Sequence, residues 1–373
     1  MVLVGVLAET GAFEVAAFSV LRMARGKSYR LLVLLASVTA LLSAFLDNVT
    51  TILLIVPVTI QICATLNVDA FPYLMAETLM SNIGGAATLI GDPPNIIIGN
   101  ALPELSFTDF LIYMAPGVLL ISPFVLLSFR LLFRGWGIGQ DLLEYNNLLR
   151  LRDQFRITNW HLFMQCMIVL GFVVLGFLLH PLHHIDPAWI ALIGATLLLL
   201  VSTPSDIDGA LEAVEWQTLL FFAALFVMME GLAELGVIRI IADLFEDIIL
   251  SVPEDKRQIV AIVILVWGSA IISAFLDNIP FTVAMVQVVD QIVATVPGLT
   301  IEALGFSLAF GADLGGNGSL VGASANIVMA GLAEKHQHHI SFFSFLKYGF
   351  PTMILSVAIA TGYLLLVFEA IVK

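Results

Sequence analysis

The chain has 373 residues, of which 60% are hydrophobic and 12% are charged, and its mean hydropathy is +1.03. Soluble globular domains are about half apolar and about a quarter charged, so this composition excludes an ordinary soluble domain and indicates an integral multi-pass membrane protein. The formal net charge of −14 argues against nucleic acid as a partner, because binding a polyanion requires basic patches. The expected partners are the lipid bilayer and a small ion or solute.

The first predicted element is an apolar segment at residues 31–64, with Asp47 and Asn48 near its middle. The segment is long enough for two helical arms, which predicts a re-entrant hairpin with Asp47 and Asn48 at its tip. The next apolar segment, residues 73–100, contains Gly84, Gly85 and a Gly-Asp-Pro-Pro sequence that starts at Gly91. Proline removes a helical N–H and glycine loosens the backbone, so this pattern predicts a broken helix. Unwound backbone at membrane depth is tolerated where it lines a cavity or is buried in protein.

The remaining predicted elements repeat this order after a middle region. A second hairpin is expected with Asp277 and Asn278 at its tip, followed by a second broken helix. The predicted segments after residue 100 are 109–133, 162–179, 189–201, 218–236, 259–296 (hairpin), 302–334 (broken helix) and 345–372.

Two sequence matches show that the chain contains a duplicated unit. The hexapeptide Ser-Ala-Phe-Leu-Asp-Asn at residues 43–48 recurs identically at residues 273–278. Residues 82–95 match residues 313–326, which keep the Gly-Gly pair and the final Asn. Chance similarity of apolar composition does not produce an identical hexapeptide that contains Asp and Asn. We therefore predict a first repeat at residues 1–133, a cytoplasmic loop at 134–160 and a second repeat at 161–373.

The distribution of basic residues predicts opposite orientations for the two repeats. With the basic loop at residues 22–30 placed in the cytoplasm, eleven of the fifteen Lys and Arg residues lie inside, as the positive-inside rule requires. One hairpin then opens inward and the other outward. The predicted fold is an all-α membrane protein of two inverted-topology repeats, each with a re-entrant hairpin and a broken transmembrane helix. The first repeat is expected to lack its first two helices.

Several motifs resemble the ion transporter superfamily, which includes arsenite pumps, D-type sodium–proton antiporters and citrate transporters. The similarity is greatest to the branch that contains the melanocyte P protein of oculocutaneous albinism type II. The motifs that carry the resemblance are Leu-Ala-Glu-Thr-Gly at 7–11, Ser-Ala-Phe-Leu-Asp-Asn-Val-Thr-Thr at 43–51, Thr-Leu-Ile-Gly-Asp-Pro-Pro-Asn at 88–95, Leu-Phe-Phe-Ala-Ala-Leu-Phe at 220–226 and Gly-Ala-Ser-Ala-Asn at 322–326.

The resemblance implies that each hairpin tip meets the break of the following helix and forms an ion or substrate site there. The first implied site comprises Asp47, Asn48, Thr50, Gly84, Gly85, Thr88, Asp92 and Asn95. The second comprises Asp277, Asn278, Thr282, Asn317, Ser319, Ser324 and Asn326. Side-chain and carbonyl oxygens suit Na⁺, and half-helix N-termini suit anions. No metal beyond Na⁺ at these sites is expected.

Asp47 and Asp277 are the boldest candidates for coupling. A carboxylate at membrane depth is energetically costly, so we hypothesise that these two residues take up the coupling proton or cation. The alternative is that each caps backbone N–H groups at its tip. The two sites are chemically unequal, because Ala323 stands where Asp92 would be expected and Asp313 stands in the place of Asn82.

These features predict a secondary active transporter that moves a small ion or an organic or inorganic anion by alternating access. H⁺ or Na⁺ is the expected coupling ion, and no organic cofactor is expected. The alternative is an anion channel, such as a chloride channel, or a pH-regulating ion pathway of an organelle. An enzyme is not expected, because the sequence lacks a Walker loop, a nucleophile elbow and a metalloprotease motif. A homodimer through the scaffold helices is a further expectation, and the membrane, plasma membrane or acidic organelle, is left open.

Overall fold

The computed structural model describes residues 2–136, 156–183, 185, 187–201, 214 and 216–371, so most of the predicted loop at 134–160 lies outside the described residues. The described chain is helical and contains no β-strand. Its α-helices are α1 (Val2–Ala8), α2 (Ala12–Ala24), α3 (Ser28–Ser43), α4 (Asn48–Leu66), α5 (Phe71–Gly85), α6 (Pro93–Ala101), α7 (Phe107–Tyr113), α8 (Ala115–Leu132), α9 (Trp160–Leu178), α10 (His180–His183), α11 (Pro187–Val201), α12 (Trp216–Glu234), α13 (Val237–Leu250), α14 (Arg257–Ser273), α15 (Asn278–Thr295), α16 (Ile301–Gly315), α17 (Ser324–Lys335) and α18 (Phe342–Leu365).

The lengths and compositions of these helices fit a membrane protein. Within the described residues, five helical segments are long and apolar enough to cross a bilayer. They are Asn48–Leu66, Ala115–Leu132, Trp160–Leu178, Glu254–Ser273 and Phe342–Phe368. Many large apolar side chains on α8, α9 and α11 are exposed, as expected for helices that face lipid. The predicted all-α membrane class is confirmed.

Two helical hairpins form where the sequence predicts them. Helices α3 and α4 are joined by residues 44–47, and α14 and α15 by residues 274–277. Asp47 is the N-cap of α4 and Asp277 is the N-cap of α15. Asn48 and Asn278 are therefore the first residues of the two returning arms.

Both predicted broken helices are interrupted at the expected positions. Helix α5 ends at Gly85 and α6 begins at Pro93. Proline suits the first turn of a helix, where its missing N–H has no intrahelical partner. Helix α16 ends at Gly315, a short 3₁₀ turn spans Gly316–Gly318, and α17 begins at Ser324. Each break thus leaves backbone groups free to meet side chains.

A glycine in each repeat lets the pre-break helix pack tightly against the outgoing arm of the hairpin. A Cβ atom on Gly84 of α5 would lie 2.1 Å from the backbone oxygen of Ala40 in α3. A Cβ atom on Gly315 of α16 would lie 2.7 Å from the backbone oxygen of Ala270 in α14. Small residues permit this close helix contact in membranes.

Helices of each half pack against helices of the other half near the hairpin tips and the helix breaks. The returning arm α4 of the first half packs against α17 of the second, and α15 of the second half packs against α6 of the first. Helices α8 and α18, which follow the breaks in the two halves, also pack against each other. This exchange of partners brings the polar residues of both repeats into one buried region.

Candidate ion and substrate site

The Asp92 carboxylate lies between the two hairpin tips. The side-chain amide of Asn48 donates to Asp92 Oδ2 at 2.7 Å, and that of Asn278 lies 3.5 Å from Asp92 Oδ1. All three side chains are buried. Asn48 therefore lies beside Asp92, the residue at which the first break ends. Asn278 contacts the first break through Asp92. It also lies close to the second break, since its Nδ2 would lie 3.7 Å from a Cβ atom on Gly316.

Asn82 connects the first tip to the second repeat. Its Oδ1 accepts a hydrogen bond from Asn48 at 3.2 Å, and its Nδ2 donates to Asn317 Oδ1 and Asn326 Oδ1, both at 3.0 Å. Asn317 in turn donates to the backbone oxygen of Leu79 at 3.1 Å. The residues expected in two separate sites therefore form one buried polar network.

The last Asn of each motif holds its own break in shape. Asn95 Nδ2 donates to the backbone oxygens of Gly85 at 3.3 Å and Thr88 at 3.0 Å. Asn326 Nδ2 makes the equivalent bonds to Gly316 and Ser319, both at 2.8 Å. Both amide hydrogens of each side chain are used on carbonyls that the missing helical turn leaves free.

The hydroxyl groups in the breaks bind the hairpin turns. Thr88 Oγ1 donates to the backbone oxygen of Ala44, and Ser319 Oγ donates to that of Ala274 at 2.5 Å. These equivalent bonds attach each break to the tip of its own hairpin. Gly85 also belongs to this contact, because a Cβ atom there would lie 2.6 Å from the backbone oxygen of Gly91.

The tip carboxylates are engaged as helix caps. Asp47 Oδ1 accepts from the backbone N–H of Thr50 at 2.8 Å, and Asp47 Oδ2 accepts from the Thr50 hydroxyl at 2.5 Å. Asp277 Oδ1 accepts from the backbone N–H of Ile279 at 3.0 Å, and its Oδ2 accepts from Ser324 Oγ at 3.1 Å. The capping alternative is therefore observed for both residues. Thr282 donates to the backbone oxygen of Asn278 at 2.7 Å and so supports the second tip from within α15.

A cavity of about 560 Å³ opens at the two tips. Its polar lining includes Asp47, Asn48, Asp92, Asn278 and Ser324. The rest of the lining is mostly apolar and includes side chains of α9, such as Val173 and Phe177. Apolar walls with a few convergent polar groups are typical of small-molecule sites.

Four helix N-termini meet at this cavity. Its lining contains the first residues of α4, α6, α15 and α17, which are Asn48, Pro93, Asn278 and Ser324. A helix N-terminus carries a partial positive charge and unpaired N–H groups, so it favours an anion. The arrangement can thus offer positive dipole ends to an anion beside oxygen ligands for a cation.

Sequence reasoning left Asn82 and Asp313 out of the candidate sites, although both are fully buried in the network. The repeat could have identified both residues, because each lies two positions before a Gly-Gly pair in its own half. Because the helix breaks begin at the Gly-Gly pairs, the candidate residues of the breaks were drawn from positions at and after these glycines. Asn82, on the intact helix before the first pair of glycines, makes hydrogen bonds that join the two halves.

Comparison with known proteins identifies the family of the chain. The citrate transporter family, CitMHS, matches residues 1–311 of the chain. The chain belongs to this family. It is 39% identical to the human P protein and 38% identical to that of the mouse, over 98% of this chain and 52% of each P protein. The chain thus spans about half the length of these P proteins.

Bacterial proteins match over more of their own length. The chain is 39% identical to the 46 kDa membrane protein of Mycobacterium leprae, over 98% of this chain and 83% of that protein. It is 40% identical to an uncharacterized transporter of Mycobacterium tuberculosis, with the same coverage. The resemblance predicted from the motifs is confirmed, and the citrate transporter family member described here is a multi-pass membrane protein.

Proposed function

We propose that this protein is a secondary active transporter that moves a small organic or inorganic anion, coupled to H⁺ or Na⁺. Alternating access takes place between two inverted repeats. The observation that carries the proposal is the cavity at which both hairpin tips and four helix N-termini meet. Paired helix interruptions in two halves of a chain are typical of transport sites.

The substrate is held by the tips and the breaks together. Asn48 and Asn278 face the cavity from opposite repeats, and both contact Asp92. The Asn278 amide and the helix N-termini bind the anion, and Asn48, whose two amide hydrogens go to Asn82 and Asp92, holds these groups in place beside it. Asp47 and Asp92 add negative charge beside it, so a bound cation or proton favours anion entry by reducing the repulsion. This requirement is a physical basis for coupling.

The remaining candidate residues shape the site. Thr88 and Ser319 attach the breaks to the tips, and Asn95 and Asn326 hold the breaks open. Gly84 and Gly85 allow the close backbone approach. Asp47 and Asp277, with Thr50, Thr282 and Ser324, fix the tips as helix starts. Asn317 joins the two halves through Asn82. The expected homodimer and the expected repeat boundaries stay predictions.

The test is flux into liposomes that contain the purified full chain. We expect one of citrate, arsenite or chloride to accumulate against its own gradient when a pH or Na⁺ gradient is imposed. Asn48→Ala and Asn278→Ala should each abolish accumulation, whereas Thr196→Ala, on the exposed face of α11, should not.

Electrical recording separates this proposal from the channel alternative. A carrier gives no unitary current and can accumulate substrate uphill. Discrete single-channel currents, together with flux that never exceeds the electrochemical gradient of the permeant ion, would contradict the proposal.

A further inference from the structure

Three oxygen atoms at the centre of the network lack a donor. They are both carboxyl oxygens of Asp313 and Oδ1 of Asn95, and both side chains are fully buried. Within the described part of the chain, no N–H or O–H group makes a hydrogen bond to any of the three. A buried carboxylate without a partner is strongly unfavourable, so this grouping needs a physical explanation.

The repeat supplies a direct comparison. Asn82 of α5 and Asn326 of α17 occupy the positions that Asp313 of α16 and Asn95 of α6 occupy in the other half. Asn82 Nδ2 donates to Asn326 Oδ1 at 3.0 Å. On the other side the Asp313 carboxyl adjoins the Asn95 side chain, and neither the two Asp313 oxygens nor Asn95 Oδ1 has a hydrogen-bond partner there. The contact that is a hydrogen bond on one side is thus equivalent, by the repeat, to a pair of acceptor groups without a donor on the other.

Rotating the Asn95 amide does not resolve the conflict. Its Nδ2 already donates to the carbonyls of Gly85 and Thr88. A flipped amide would place Oδ1 against these two carbonyls and create a new conflict between acceptors. Asn326 uses its Nδ2 in the same way. The orientation of Asn95 is thus fixed by its own break, and its Oδ1 faces away from that break.

Among the residues that the structure describes, no positively charged side chain forms an ion pair with Asp313. The charged group that interacts with Asp313 in the described residues is another carboxylate, Asp92. Asp92 is also repelled by the carboxylates of Asp47 and Asp277. The helices packed against α16 are α5, α6, α14, α15 and α18. Their titratable or charged residues are Tyr73, Glu77, Arg257, Asp290, Lys347, Tyr348 and Tyr363, and none of these makes a hydrogen bond to Asp313.

We propose that Asp313 binds a proton, which it donates to Asn95 Oδ1, and that this pair is the proton-coupling site of the transporter. One proton converts the two facing acceptors into the hydrogen bond seen between Asn82 and Asn326. Three oxygens from two residues are fewer than the roughly six that a hard metal cation takes, so a proton fits better than Na⁺. The coupling role rests on the proposed function, whereas the bound proton does not.

Protonation at this place acts on the contact between the halves. Asp313 belongs to the second repeat and Asn95 to the first, so their hydrogen bond joins the two. When the O–H bond of Asp313 breaks and the proton passes to water, a carboxylate is left facing Asn95 Oδ1. The two acceptors repel, and the charge of Asp92 adds to the repulsion. Loss of the proton therefore favours separation of the halves on this side.

Infrared spectroscopy of the purified full chain tests the bound proton without any transport assay. We expect the spectrum of the wild type minus that of Asp313→Asn to show a C=O band of a protonated carboxyl group at neutral pH. The amide that this substitution introduces supplies the donor permanently, so the variant should fold. Asp290→Asn removes a carboxylate from the exposed face of α15 and should leave the band unchanged.

Thermal unfolding against pH gives a second measurement. Above about pH 5 the unfolded chain releases the proton that the folded chain keeps, so the folded-to-unfolded ratio should fall up to about tenfold per pH unit. That component should vanish in Asp313→Asn and persist in Asp290→Asn. A wild-type spectrum without the band, or stabilisation by Na⁺ that Asp313→Asn abolishes, would overturn the proposal in favour of a carboxylate.

Flux separates the two proposals. If the band depends on Asp313 but the wild type transports nothing, the proton site stands and the proposed function fails. If the wild type transports and Asp313→Asn keeps an unchanged pH profile, the proposed function stands and the coupling role of Asp313 is wrong. We expect Asp313→Asn to carry substrate downhill only, without response to a pH gradient.

Discussion

Asn82 shows how much of the centre depends on a single side chain. It accepts from Asn48 and donates to Asn317 and Asn326, so it joins one tip to the opposite repeat. Removing it leaves buried polar groups on both sides without partners. An unsatisfied buried polar group costs about 1–3 kcal/mol.

We therefore expect Asn82→Ala to lower the thermal unfolding midpoint in detergent markedly, through a loss of at least about 1–3 kcal/mol. Asn100→Ala removes the same side chain from an exposed position on α6 and should shift the midpoint little. Equal midpoints for the two variants would show that the Asn82 bonds do not hold the halves together.

The substitution Asp47→Asn tests whether Asp47 acts only as a helix cap or also binds the coupling proton. Asp47→Asn keeps an oxygen for the Thr50 N–H and an amide for the Thr50 hydroxyl, so the variant should fold normally. If Asp313 carries the coupling proton, Asp47→Asn retains the pH dependence of flux. If the tip carries it, as the sequence suggested, the pH dependence disappears. Flux measured across a series of pH values decides between the two residues.

At the residue scale, the sequence predicted which side chains would gather but not how they would pair. Asp47, Asn48 and Asp92 were recognisable because charged or amide groups are costly among apolar residues. That Asp92 accepts from both tips depends on packing between halves, which no local pattern encodes. Asp313 was noted as a departure from the repeat, and its unpaired oxygens become visible only beside Asn95.

At the scale of helices, the crossing of α3 with α5 depends on Gly84. A methyl group there would meet the backbone of Ala40 at 2.1 Å, and backbone cannot move aside as a flexible side chain can. Overpacking of this kind costs typically about 1–3 kcal/mol, occasionally more.

Gly84→Ala should accordingly lower both the yield of folded protein and its unfolding midpoint, and Gly315→Ala should do the same at the equivalent crossing. Gly268→Ala on α14 is the matched control, because nothing lies within 4 Å of its added Cβ. It should be neutral or stabilising by up to about 1 kcal/mol, since alanine is the better helix former. Fluorescence-detected gel filtration and thermal shift measure both quantities.

Helix positions were predictable because their signals are local. Apolar length marked the spans, Pro and Gly marked the breaks, and Asp-Asn marked the tips, and the observed bounds differ from those expected by a few residues. The packing of α4 on α17 and of α15 on α6 was not predictable, because it depends on contacts between residues far apart in sequence. Helices α1, α2 and α13 were not predicted as separate elements.

At the scale of the whole molecule, transport requires the tips to change their relation to the cavity. Val49 and Ile279 lie in the first turns of α4 and α15, and both line the cavity from opposite repeats. A bifunctional maleimide joined to Val49→Cys and Ile279→Cys should tie the tips together and stop flux. Each single variant should retain flux after the same treatment.

The native cysteines provide a further control. Cys63 and Cys166 are both buried, so the unmodified chain should be insensitive to the reagent. Undiminished flux through the cross-linked double variant, with the cross-link verified by mass spectrometry, would mean that the tips do not move relative to each other during transport.

The bonds that Asn82 makes across the halves also bear on how the protein is synthesised. The ribosome delivers the first half to the membrane well before Asn317 and Asn326 exist. Until then the Asn82 amide has only its own half to bind, and the Asp92 carboxylate lacks Asn278. The newly inserted first half is therefore an intermediate with polar groups that lack partners, and final assembly is complete only when α16 and α17 have been inserted. The two halves, produced as separate polypeptides in one cell, should associate through this same buried surface.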